Sequence, residues 1–93
     1  MFDYFRRKKE DPEVARRVKL LRSGRIADGA VIDIDNDANG ATLIFYSYTV
    51  SGVEYESSQY LAPDQLARKS DYSPGANITV RFDPHQPVNS VVV

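Results

Sequence analysis

The sequence predicts a mainly β fold, a small five-stranded antiparallel barrel or sandwich with an N-terminal α-helix. Three observations carry that prediction. The hydrophobic period changes from helical to two at Ile26. Two hairpin loops of different length both leave the same residues on one buried face. Glycine, proline, asparagine and aspartate then punctuate the chain at the short intervals of an all-β domain. Ninety-three residues are enough for one domain, near the lower end of what folds alone without a metal or disulfide.

Three segments are read in order. Residues 1–10 form a basic aromatic tail, in which Phe2, Tyr4 and Phe5 precede Arg6, Arg7, Lys8 and Lys9. Residues 11–24 form an amphipathic helix: Asp11 is its N-cap, Pro12 suits the first helical position, Glu13 lies near the positive end of the dipole and Gly24 is the stop. Val14, Val18 and Leu21 make an apolar stripe at i, i+4 and i+7, while Arg16, Arg17, Lys19 and Arg22 occupy other faces. The stripe is expected to be buried against a β-domain, this chain's own or a partner's. Residues 25–93 form the small β-barrel-like domain. Its apolar even positions, Ala30, Ile32, Ile34, Ile44, Tyr46, Tyr48 and Val50, define the expected buried face, with Phe45 the exception. A helical turn is expected after Pro63, a turn at Gly75, a strand through Ile78, Val80 and Phe82, and a last strand in the closing valines. The five strands are expected in a meander.

The stretch "DNDANG" at 35–40 resembles the first half of a calcium loop. With Asp35 in first position, however, the twelfth, which must supply a bidentate carboxylate, is Tyr46, and both flanks read as strands. The alternative is a three-residue loop, Ala38 to Gly40, with Asp37 opposite Ala41. That register pairs Ile34 with Ile44, Ile32 with Tyr46 and Ala30 with Tyr48, whereas a two-residue loop would split the apolar set across both faces. Gly40 is then present for its left-handed backbone. A two-residue loop at Ser51-Gly52 pairs Val50 with Val53 and continues the same face. Asp83, Pro84 and Pro87 mark the turn that closes the penultimate strand.

Composition narrows function. With no cysteine, there is no disulfide, thiolate nucleophile or zinc thiolate. No apolar run reaches membrane-spanning length and the amino terminus lacks the apolar core of a signal peptide, so the cytoplasm is the default compartment, with a membrane-peripheral location as the alternative. Residues 1–25 carry nine of the twelve basic residues against four acids; the remainder carries three basic residues and nine acids. The chain is a basic arm on an acidic body.

Tyr46-x-Tyr48-x-Val50-x-Gly52-x-x-Tyr55, followed by Gly75-x-x-Ile78-x-Val80-x-Phe82-Asp83-Pro84-x-x-Pro87, resembles the bacterial domain of unknown function 3592 family. Gly24, Gly29 and Val31 suit its opening strand, so the resemblance covers about residues 24–93. It implies a small all-β module of a kind often attached to membrane helices, with no established activity and no catalytic residues to carry over. Here a basic helical arm stands in place of a membrane span, and Gln86 departs from the asparagine common in the Asp-Pro-x-x-Pro element.

No catalytic, cofactor or metal residues are assigned, and no enzymatic activity is expected. His85 is the only histidine and sits in a turn with no nucleophile motif around it. Tyr46, Tyr48 and Tyr55 could stack on bases, but their phase with Ile32, Ile34 and Val50 favours the core. The candidate interaction residues are therefore Phe2, Tyr4, Phe5, Arg6, Arg7, Lys8, Lys9, Val14, Val18 and Leu21; Asp37, Gly40, Gly52, Gly75, Asp83, Pro84 and Pro87 are structural turn residues. The expected function is a non-enzymatic interaction module that binds protein or another copy of itself. The first alternative is a peripheral membrane protein held on anionic lipid by the arm. A nucleic-acid binder using the arm is the second, and the acidic body disfavours it.

Overall fold

The computed structural model of the protein describes residues 11–93. Helix α1 spans Pro12–Ser23. Asp11 caps it, Oδ1 accepting the Glu13 N–H at 2.8 Å, and so satisfies one of the free donors of the first turn. Gly24 ends the helix in extended backbone rather than a left-handed cap, its N–H donating to the Leu20 carbonyl at 2.7 Å.

Five strands follow: β1 (Arg25–Asn36), β2 (Thr42–Val50), β3 (Val53–Tyr60), β4 (Asn77–Asp83) and β5 (Gln86–Val92). Between β3 and β4 lie a one-turn helix, α2 (Pro63–Leu66), and a 3₁₀ turn (Lys69–Tyr72). All neighbours are antiparallel and the sheet order is β3-β2-β1-β4-β5, with β3 and β5 brought against each other to give a nearly closed barrel. The meander therefore holds only for β1 to β3. Through α2 the chain crosses to the other side of β1, so that β4 pairs with the first half of that strand (Arg25 to Ala30) and β2 with the second (Gly29 to Asn36). A long first strand shared by two partners, with a helix between the third and fourth strands, is the connectivity of an OB-type barrel.

Sharing β1 requires it to bend, and two features allow this. A β-bulge between Val31 and Asp33 inserts Ile32 as an extra residue. At Gly29, opposite Tyr48, β1 and β2 come so close that a Cβ would lie 2.5 Å from the Ser47 carbonyl oxygen. The bulge also corrects the expected phase. Ile34 pairs with Ile44 as expected, but Tyr46 faces Val31 rather than Ile32, and Tyr48 faces Gly29 rather than Ala30. Val31 and Ala27 are buried, and Ile32 is 48% exposed.

The loop after β1 has three residues. The Asp37 N–H donates to the Ala41 carbonyl at 2.9 Å, and Asp37 Oδ1 accepts the N–H groups of Asn39 and Ala41 at 2.9 and 3.0 Å. Its carboxylate is thus spent on the turn, and Gly40 takes φ +84°. Ser51 and Gly52 both adopt positive φ, as a tight two-residue hairpin requires, and Val50 pairs with Val53. Gly75, at φ +91°, lets its N–H reach the Val31 carbonyl at 2.8 Å. Asp83 Oδ1 accepts the His85 N–H at 2.8 Å and shapes the Pro84-His85 turn into β5, where Pro87 lies.

Val31, Ile44, Tyr46, Tyr48, Val80 and Phe82 fill the barrel. Tyr46, Tyr48 and Tyr55 stack successively, with centroids 5.8 and 5.7 Å apart, on the interior face, so they form core and not an exposed platform for bases. No backbone ladder joins β3 to β5; side chains do the joining. Gln59 Oε1 accepts the Val92 N–H and Gln65 Nε2 donates to the Val92 carbonyl, both at 2.8 Å. From within, the Tyr46 and Ser90 hydroxyls bond at 2.7 Å and the Tyr48 hydroxyl donates to the Pro87 carbonyl.

Candidate interaction surface

Helix α1 packs on β5 and β4 and reaches the end of β3 through Arg17. Leu20 is the residue it buries. The remaining attachments are polar: Arg16 Nη1 donates to Asn89 Oδ1 at 2.9 Å and to the Ser90 carbonyl at 2.8 Å on β5, while Arg17 Nη2 donates to the Tyr60 carbonyl at 2.9 Å on β3. Glu13 joins the two guanidiniums, accepting from Arg16 at 2.9 and 3.0 Å and from Arg17 at 2.7 Å. The Arg16 hydrogen bond is the main force holding the Glu13 carboxyl down at about 2, from the usual 4.5, against a desolvation that raises it; Arg17 adds to the fall. The trio straddles the two edges that lack a shared ladder.

This seat corrects one of the two expected burials of the stripe, that on the chain's own β-domain. Val14, Val18 and Leu21 are 50, 42 and 45% exposed, so the stripe does not pack on the chain's own barrel. Hydrophobic spacing identified the stripe and placed the arginines on other faces, and two of those guanidiniums meet strand carbonyls at Ser90 and Tyr60. Lys19 and Arg22 are exposed beside the stripe. The expected candidates Phe2, Tyr4, Phe5, Arg6, Arg7, Lys8 and Lys9 lie outside the described residues.

A hollow of about 300 Å³ separates α1 from the β4–β5 turn, lined by Lys19, Ser23, Asp83 and His85 among others. Among the described residues, no hydrogen bond links the His85 ring to a hydroxyl or carboxylate, and no three His, Asp or Glu side chains cluster as a metal site. Nor is any helix among them long and apolar enough to cross a membrane.

A second exposed surface was missed in the sequence. Rows across β1, β2 and β3 place Asp33, Phe45 and Ser58 together, then Ala30, Ser47 and Glu56, on the outside of the barrel. Ile32 and Phe45 are the exposed apolar residues there. Phe45 was legible as the aromatic that breaks the even-position pattern; Ile32 was not, because only the bulge turns it outward. In OB-type barrels the face around the second and third strands is the usual oligonucleotide site. Here Asp28, Asp33, Asp35, Asp37, Glu54 and Glu56 are the charged residues from Ile26 to the end of β3, with no cation among them, a charge that disfavours phosphate on that face.

The sequence matches the family described as a domain of unknown function (DUF3592) over residues 22–93. No curated protein and no solved structure matches it.

Proposed function

The chain belongs to the domain of unknown function 3592 family, and on that premise we propose that it is a non-enzymatic interaction module whose contact surface is the outer face of α1. The observation that carries this is the orientation of the helix. Its seat is complete without Val14, Val18 and Leu21, which leaves three large apolar side chains in a row facing solvent beside Lys19 and Arg22. Single exposed apolar residues are ordinary, but a row of them on one helix face is the usual form of a docking surface.

A photo-cross-linking residue at position 18 tests this, with position 64 on the exposed side of α2 as control. A protein adduct at 18 and none at 64, in the cells that make the protein, is the expected result. Equal labelling at both positions, or none at 18, overturns the proposal.

The same helix supports a second reading. An apolar stripe flanked by Lys19 and Arg22 also suits the interface of an anionic bilayer. Flotation with anionic vesicles that is lost in Val18→Asp, and absent with neutral vesicles, would favour that reading over a protein partner.

A further inference from the structure

What the outer face of α1 would contact can be sought on the molecule itself. Ile32 and Phe45, with Glu56, line a shallow hollow of about 310 Å³ on the outside of β1–β3. Asp33 is in register with Phe45, and Asp35 and Glu54 lie further along the same face. The two surfaces are complementary twice over: each has an apolar centre, one bordered by Lys19 and Arg22 and the other by serines and the carboxylates of Asp33 and Glu56. The sheet face is also long enough to take the helix. A 12-residue helix is about 18 Å long, and β2, at nine residues, runs about 30 Å.

Resting on the reading of α1 as the contact surface, we infer that its partner is a second copy of this chain, docked head to tail. Val18 and Leu21 of one copy lie over Ile32 and Phe45 of the next, and Lys19 and Arg22 face Asp33 and Glu56. The two patches sit on different elements, so the contact is heterologous and every copy offers one of each. An isologous pairing of two α1 helices would bring two basic flanks together; the head-to-tail arrangement places each against carboxylates.

Mass in solution across a concentration series tests this with the full chain and two variants. Wild type gains mass with concentration, and added salt reverses the gain, because the flanking charges are exposed. Val18→Asp spoils the helix face and Phe45→Lys the sheet face, so each alone weakens association by about tenfold or more. Mixed in equal amounts, each variant supplies the surface the other lacks, and a dimer forms that grows no further. An isologous helix pair behaves differently: Phe45→Lys still dimerises, and mixing restores nothing. That pattern overturns the inference, as does a wild type that stays monomeric at every concentration. Circular dichroism checks that both variants fold, and Asp33→Lys combined with Glu56→Lys replaces Phe45→Lys if that variant does not. A monomeric wild type whose position-18 cross-link still traps a different protein removes the head-to-tail contact alone. Loss of the position-18 adduct removes the docking surface with it.

Discussion

Two glycines are required here for unlike reasons, and substitution separates them. Gly40 holds φ +84° with nothing near its missing Cβ, so Gly40→Ala should cost about 1–2 kcal/mol through backbone conformation alone, and Gly40→Asn less. Gly29 has ordinary backbone but no room, and Gly29→Ala should cost about 1–3 kcal/mol by forcing β1 from β2, with Gly29→Asn worse rather than better. Urea denaturation of the four variants checks the reversed order of alanine and asparagine. Glu13 makes a pH-dependent contribution. Its folded pKa, about 2, lies below the unfolded 4.5, so the stability it adds is fully present above 4.5 and is lost as pH falls toward 2. Because the side chain is half exposed, solvent limits the effect to about 1 kcal/mol or less. Wild type and Glu13→Gln should therefore differ in stability at pH 6 and converge near pH 2.

At the scale of elements, helix caps and turns were legible because they depend on local chemistry. Asp11, the Asp37-to-Gly40 loop and the Ser51-Gly52 hairpin each follow from a residue whose side chain or φ preference acts within four positions. What was hidden depends on distant partners. Period-two counting carries the buried face back from Ile34 to Ile32, and nothing in "AVIDID" announces an extra residue where β1 changes partner. The helix stripe was visible, but its direction was set by carbonyls at Tyr60 and Ser90, 43 and 74 positions away. The α1 seat makes a measurable contrast: Leu20→Ala should cost about 2–4 kcal/mol, whereas Val18→Asp should change the stability of the isolated chain by less than about 0.5 kcal/mol. Thermal or urea unfolding in dilute solution, where association does not contribute, decides this. Equal losses would mean that both faces of the helix are buried.

Across the whole molecule, the fold class was recoverable from periodicity and turn chemistry, while the strand order was not, since no local signal tells β4 to return beside β1. The candidate surfaces divide in the same way: the apolar stripe of α1 could be read from spacing, and the acidic sheet face only from register. Barrel closure gives a further prediction. Because the Val92 N–H is held by a side-chain amide rather than by a strand, Gln59→Leu should speed hydrogen exchange at Val92 well beyond its effect on Ile44 or Val80, whose amides lie in the paired interior of the sheet. Uniform acceleration would show that the seam opens only when the entire barrel does.

The bulge at Ile32 has a consequence of a different kind. Curvature here is stored as a count of residues, not as a preference of any one side chain, so replacing Ile32 by threonine, lysine or alanine leaves the count and hence the bend. Removing the position altogether does not. The two halves of β1 would then compete for a single phase, and one set of partners, Tyr46 and Val31 or Ile34 and Ile44, would have to turn outward. Related sequences should accordingly vary freely in which residue stands at 32 while keeping the same number of residues between Gly29 and Asp37.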